Sequence, residues 1–169
     1  SATQLSSTRN MEAYRIVQQA SATILNYRIS GANKFNIVSP LLEKAIALDS
    51  TYADAYALLA AAKLTRHEDE DAEDYFEREE QEFNEAILLV EKALLHDPNH
   101  ELAKGLSIIL PLQQEFIFGS KGNYNLLTMR RAAIQMDSFI AQFPDSPFAL
   151  SLNAFYYLQS YLMLDNESN

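Results

Sequence analysis

Residues 44–56 read KAIALDSTYADAY, a stretch that contains the end of one helix, a tight turn and the start of another helix. Residues 92–104, KALLHDPNHELAK, repeat this arrangement, and residues 139–149, FIAQFPDSPFA, repeat it again. In each stretch, apolar residues at helical spacing stop at a polar turn and then resume. The recurrence predicts a chain that is built from helical pairs.

Composition favours the same fold class. The 169 residues include only 4 Gly and 5 Pro, too few for the many turns of a β-sandwich or barrel. Helical periodicity covers almost the whole chain, so we predict an all-α protein of about seven helices in a single domain over residues 1–169. Gly31 is expected to end the first helix, and the fourth helix is expected to become regular near Phe83. The expected elements are a first pair at residues 10–48, a second pair at 52–96 with an acidic insert at 66–80, a third pair at 101–142 and a terminal helix at 147–164.

The spacing of the turns and the placement of small residues suggest a family. Ser50, Pro98 and Pro144 are 48 and 46 residues apart. The third helix has small, large, large, small and small residues at Ala55, Tyr56, Leu59, Ala60 and Ala62, and the next helix and its closing turn contain Ala86, Ala93, Asp97 and Pro98. This pattern resembles the tetratricopeptide repeat (TPR) family, whose unit is two antiparallel helices. The resemblance implies a right-handed array of antiparallel helical pairs, with extra length in the acidic insert and around residues 113–123.

The resemblance also implies a groove that is lined by the first helix of each pair. The groove-facing positions carried over from the family are Asp54, Ala57, Ala61, Leu64, Leu102, Gly105, Ile109, Leu112, Phe148, Ser151, Phe155 and Leu158. The set lacks the Lys, Arg and Asn residues with which some family members clamp the carboxylates of chaperone tails. Its apolar character predicts an amphipathic helix or a hydrophobic peptide as the ligand. As an alternative, the same positions are core or are covered by a flanking helix of the chain.

A narrower resemblance concerns the front of the chain. Residues 10–14 (NMEAY), 40–49 (PLLEKAIALD) and 52–60 (YADAYALLA) are similar to TPR regions of bacterial CadC-like winged-helix transcriptional regulators and of some adenylate cyclases. This similarity implies a non-catalytic protein or peptide interaction module, the sensory or oligomerisation part of a bacterial regulator. An extracytoplasmic envelope scaffold stays open as an alternative, because residues 139–147 resemble repeats in such proteins.

No pattern that is typical of catalysis or of a bound cofactor is present. The chain has no Cys, no phosphate-binding Gly-rich loop, no Gly-x-Ser-x-Gly and no His-Glu-x-x-His. His96 and His100 are four residues apart, but Asp97 and Pro98 interrupt the helix between them. We therefore predict no enzyme, no cofactor and no metal. The alternative is a sensor whose small-molecule pocket is lined by Tyr56, Tyr75, Phe76 and Phe116.

Charge is concentrated in one segment. The net charge is −10, and residues 66–91 contain twelve acidic and two basic residues, while the rest of the chain is neutral overall. No basic face is left for nucleic acid, so we predict none as a partner. The acidic segment reads as a solvated loop and helix start, although a docking surface or cation site is the alternative. Arg130 and Arg131 are expected on the surface with partners four residues away along the helix, and a site for a carboxylate or phosphate is the alternative.

The terminal helix predicts an interaction. Large apolar and aromatic residues cover most of its circumference, so one face is expected to pack on the sixth helix and the other to be exposed. We therefore expect the exposed face to be covered by a second copy of the chain, in a homodimer, or by a missing partner segment. No apolar run is long enough to cross a membrane. The chain begins at Ser1 and reads as a piece of a longer protein. A membrane-anchored parent stays open, as do the bacterial cytoplasm and the periplasm as compartments.

Overall fold

The computed structural model describes residues 8–25, 31–64, 75–118 and 125–165. These residues form seven α-helices and contain no β-strand, which confirms the all-α prediction. The helices are α1 (Met11–Ile24), α2 (Gly31–Leu48), α3 (Ala53–Leu64), α4 (Tyr75–His96), α5 (Glu101–Phe118), α6 (Leu126–Gln142) and α7 (Pro147–Asp165).

Two predicted helix limits are corrected. Gly31 begins α2 and does not end α1. Its conformational cost is small there, because the first turn of a helix makes few intrahelical hydrogen bonds. Helix α4 begins at Tyr75, well before Phe83, so residues 75–80 of the predicted acidic insert are helical. Glutamate is a good helix former, and negative side chains stabilise a helix N-terminus. Residues 66–74 of the insert lie outside the described part of the chain.

The three aligned junctions have turns of equal length. Four residues separate α2 from α3, α4 from α5 and α6 from α7. In each turn the last residue donates its backbone N–H to the carbonyl oxygen of the first: Tyr52 to Asp49 at 3.2 Å, His100 to Asp97 at 3.1 Å and Ser146 to Phe143 at 3.2 Å. The sequence repeat therefore corresponds to a repeated local structure.

The chain divides into two compact units, Ser1–Ala103 and Lys104–Asn169, which we term the N-terminal and C-terminal units. In the N-terminal unit, α3 packs against α1, α2 and α4. Its core consists of Ala13, Ile16, Val17, Ala20, Val38, Leu42, Ala45, Tyr52, Ala55, Leu59 and Ala62. Many of these side chains are small, which lets the helix axes approach closely. A compact unit can be part of a domain, so the single-domain organisation stays a prediction.

In the C-terminal unit, residues of α5, α6 and α7 share one core. Its members are Ile108, Ile109, Leu112, Met129, Ala132, Met136, Phe139, Ala149, Leu152 and Tyr156. Gly105 lies against α7, because a Cβ atom on Gly105 would be 2.6 Å from Phe148 Cε1 and 2.8 Å from Leu152 Cδ2. The missing side chain at Gly105 therefore makes room for the ring of Phe148.

Candidate functional site

The twelve residues that were predicted to line a groove differ in their exposure. Ala57, Gly105, Ile109 and Leu112 are buried. Asp54, Ala61, Leu64, Leu102, Phe148 and Phe155 are half-buried, and Ser151 and Leu158 are exposed. Within the C-terminal unit, the structure brings Ile109 and Leu112 into the core, where they contact other residues of this chain. A groove formed by the whole set stays a prediction.

Asp54 is part of a contact between the starts of two helices in the N-terminal unit. His100 Nε2 lies 2.8 Å from Asp54 Oδ1, and Ala103 donates its backbone N–H to His100 Nδ1 at 3.3 Å. Because Nδ1 accepts a hydrogen bond, the ring proton is on Nε2, from which it is donated to the carboxylate. His100 therefore caps the first turn of α5 and joins it to the first turn of α3. Both groups have a structural role that the sequence did not reveal.

His96 belongs to a stack that surrounds a buried tyrosine. Its ring packs on Tyr56 with ring centroids 5.9 Å apart, and Lys92 Nζ is 5.9 Å from the centroid of the Tyr56 ring. The Tyr56 hydroxyl donates to the Ser50 carbonyl oxygen at 3.0 Å. Tyr56 was a candidate for lining a small-molecule pocket, and its ring is occupied by these contacts. The other candidates, Tyr75, Phe76 and Phe116, have side chains outside the described part of the structure.

Two carboxyl groups of the N-terminal unit have a lowered pKa. Hydrogen bonds from the side chains of Thr8 and then Thr51 lower the pKa of Asp49. A hydrogen bond from Lys63, with Nζ 2.6 Å from Oε2, and then one from Gln81 lower the pKa of Glu85. Two of these contacts join elements that are far apart in sequence, namely Thr8 with Asp49 and Lys63 with Glu85, and the other two are local. We interpret them as structural.

The described part of the acidic segment is not uniformly solvated, which corrects the prediction. Glu80 is exposed, whereas Glu82 is only 6% exposed and Glu85 is paired with Lys63. Glu82 is four residues before the buried Ala86 and eight before the buried Val90, so helix periodicity places it on the inner face of α4. Among the described residues, no group of three or more His, Asp and Glu side chains is arranged to hold a metal ion.

One face of α7 is apolar and exposed to solvent. Leu150, Tyr157 and Leu158 are 57%, 62% and 56% exposed, and their spacing of seven and eight residues places them on one side of the helix. On the opposite side, Leu152 and Tyr156 belong to the core of the C-terminal unit. We term the exposed side, which consists of Leu150, Tyr157 and Leu158, the α7 outer face.

A second surface feature is a cleft between α5 and α6, which we term the α5–α6 cleft. It consists of two adjoining cavities of about 180 and 340 Å³ that share Ser107, Ile108 and Gln135. The smaller cavity is also lined by Lys104, Ser138, Phe139 and Gln142, and the larger by Pro111, Asn125, Leu127, Thr128, Arg131 and Ala132. All of these residues belong to the C-terminal unit.

Cationic side chains lie at different places along this cleft. Lys104 Nζ donates to Gln142 Oε1 at 2.6 Å in the smaller cavity. Arg130 and Arg131 are both exposed, as predicted, but neither forms the expected ion pair with another described residue. Arg131 lines the larger cavity, whereas Arg130 does not line either one. The residue pattern did not predict this cleft. The one feature of the sequence that indicates the cleft is the polar residue at every third or fourth position of α6. The same pattern is also typical of a solvated helix face.

Comparison with known proteins adds no family assignment. No protein-family model matches the sequence, and no curated protein matches it. The similarity to tetratricopeptide repeats therefore rests on the residue pattern and stays a prediction. Within the described residues, none of the helices combines the length and the hydropathy that a bilayer span requires.

Proposed function

We propose that this chain is a non-catalytic protein-interaction module that pairs with a second copy of itself through the α7 outer face. Within this proposal, it is the sensory or oligomerisation part of a bacterial transcriptional regulator. The regulator context rests on the resemblance of residues 10–14, 40–49 and 52–60 to CadC-like proteins.

The exposed apolar side chains of α7 are the main support for self-association. Leu150, Tyr157 and Leu158 are each more than half exposed. Transfer of such a side chain from water to an apolar interface contributes about 1.5–3 kcal/mol when burial is complete. Tyrosine is also enriched among the residues that dominate binding energy at interfaces. Burial of this face in an interface would therefore stabilise a dimer relative to two separate chains.

The distribution of charge leaves α7 as a surface through which a second copy can approach. The chain has a net charge of −10, so two copies repel each other in most orientations. Residues 147–164 include no charged side chain. An approach through α7 brings two uncharged helical surfaces together. Apolar association of this kind depends weakly on salt.

Light scattering of the full chain over a tenfold concentration range, at low and high salt, tests the proposal. We expect the mass to rise from that of one chain to that of two, and the dimer to persist at high salt. Tyr157→Glu places a charge on the α7 outer face and is expected to shift the equilibrium towards the monomer by at least about tenfold, because burial of an unpaired charge is costly.

Gln18→Glu is the matched control, because it adds the same charge at an exposed position of α1. This variant is expected to dimerise like the wild type. A wild-type protein that stays monomeric over the whole range would contradict the proposal, as would equal dissociation of the Tyr157 and Gln18 variants.

A further inference from the structure

We propose that the α5–α6 cleft binds a small aliphatic dicarboxylate, with one carboxylate at Arg131 and the other at Lys104. This ligand site is separate from the self-association surface on α7, and the two proposals are tested independently.

The charge of the lining favours an anion. Lys104 and Arg131 line the cleft, and all other lining residues are neutral, although the whole chain contains 23 acidic and 13 basic residues. Concave surfaces with one sign of charge concentrate ligands of the opposite sign. Arg131 is exposed and forms no ion pair with a described residue, so its guanidinium is available to bind a carboxylate through two parallel hydrogen bonds.

The positions of the two cations indicate a ligand with two acidic ends. Lys104 lines the smaller cavity, and Pro111 lines the larger cavity together with Arg131. Lys104 and Pro111 are seven residues apart on α5, which corresponds to two turns and about 10 Å along the helix. One carboxylate cannot reach both ends of such a cleft. A linear diacid of comparable length can contact both cations.

Apolar side chains form part of the floor of the cleft, which suits a methylene chain. Ile108 lines both cavities and is 4% exposed, while Ala132 and Phe139 are 2% and 3% exposed. Ser107 and Gln135 are also shared by the two cavities and supply polar groups beside this apolar floor. The larger cavity, at about 340 Å³, has the volume of a small-molecule site.

An acidic residue, Glu115, lies just beyond the cleft and allows a further test. Glu115 is one turn after Pro111 on α5, and its Oε1 accepts the backbone N–H of Asn125 at 2.9 Å. This carboxylate is not part of the lining. The negative charge of Glu115 repels a ligand carboxylate at Arg131. We therefore expect Glu115→Gln to tighten binding of a diacid.

Calorimetric titration of the full chain with succinate, suberate, sebacate and octanoate tests this site. We expect suberate, whose length is comparable to the two turns of α5 that separate Lys104 from Pro111, to bind at least about tenfold more tightly than succinate or octanoate. Arg131→Gln is expected to raise the Kd for suberate by at least about tenfold, whereas Arg130→Gln, a control with the same loss of charge outside the cleft, leaves it unchanged. Lys104→Gln should weaken suberate and leave octanoate unaffected.

Several results would overturn the proposal. One is the absence of measurable binding for every diacid. Equal losses in the Arg130 and Arg131 variants would show non-specific attraction between charges. Equal affinity for octanoate and suberate would show that only one end is recognised, and tighter binding of an extended acidic peptide than of suberate would identify a peptide as the ligand.

Discussion

Helices α3 and α7 are both apolar around most of their circumference, and they differ in how the chain covers them. In α3, Ala53, Ala55, Tyr56, Ala57, Leu59, Ala60 and Ala62 are all buried. Helices α1, α2 and α4 pack against α3 and provide this cover. Helix α7 packs on α6 and the core of its unit, while Leu150, Tyr157 and Leu158 are exposed. Apolar composition on all sides therefore predicts a helix that needs cover, but not whether the same chain supplies it.

Side-chain size explains part of this difference. Most of the buried residues of α3 are alanines, so neighbouring helices can approach from several directions. The α7 outer face consists of two leucines and a tyrosine, which project further and need a complementary surface. The close approach to α7 that the structure shows is made possible by Gly105 on α5.

The strongest test of this comparison is the same substitution in both helices. Leu59→Ala removes a side chain that is 5% exposed in the core of the N-terminal unit. We expect a loss of about 2–5 kcal/mol in the free energy of unfolding, from lost burial and the remaining cavity. Leu158→Ala removes a side chain that is 56% exposed, and we expect a change within about 0.5 kcal/mol. Urea denaturation followed by circular dichroism measures both.

The Leu158 variant has to be measured at a concentration at which the protein is monomeric, because a dimer would add the free energy of association. Similar losses in the two variants would remove the contrast between α3 and α7. They would mean that the α7 outer face is covered within a single chain.

A second test concerns the covered side of α7. Gly105→Ala places a Cβ atom 2.6 Å from Phe148 Cε1 and 2.8 Å from Leu152 Cδ2. Overpacking costs about 1–3 kcal/mol, and the better helix propensity of alanine returns about 1 kcal/mol, so we expect a net loss of about 1 kcal/mol. Thermal unfolding measures this loss. In a Phe148→Leu background the same substitution should cost less, and a stabilising Gly105→Ala would show that α7 moves away easily.

The sequence predicted the features of this comparison that depend on local patterns. The turns at residues 49–52, 97–100 and 143–146 follow from Asp, Pro and Ser between apolar helical segments, and all three form as four-residue connections. The predicted start of α4 is wrong, because the helix propensity of glutamate outweighs the repulsion between the acidic side chains in residues 75–80. The α5–α6 cleft was missed, since its lining combines residues from two helices whose relative register is decided by packing.

A third test weakens a contact at the start of α3. His100→Ala removes the acceptor for the Ala103 N–H and the donor to Asp54. Loss of a helix cap costs about 1 kcal/mol, so we expect a decrease of that size in the free energy of unfolding. His100→Asn keeps a side chain that can cap α5 and should lose less. Urea denaturation at neutral pH measures both variants, and equal losses would show that the bond to Asp54 matters more than the cap.

The smallest expected effect concerns the end of α3, where Lys63 pairs with Glu85 of α4 and lies 5.6 Å from the centroid of the Phe35 ring. The pKa of Glu85 in the folded protein is below its ordinary value of 4.5, so its ionised form stabilises the fold above that pH. This contribution is lost as the pH falls through the lowered pKa, because protonation then occurs in both the folded and the unfolded state. Glu85→Gln should cost less than about 1 kcal/mol at neutral pH.

The difference between wild type and Glu85→Gln should therefore shrink on acidification below about pH 4.5, whereas the exposed Glu80→Gln on the same helix should show a smaller difference at every pH. Urea denaturation at a series of pH values separates the two variants. A difference that stays constant from neutral to acidic pH would mean that the carboxylate charge is not what joins α3 to α4. The cover of α3 would then come from apolar packing alone, and the contrast with α7 would depend only on which neighbours the chain provides.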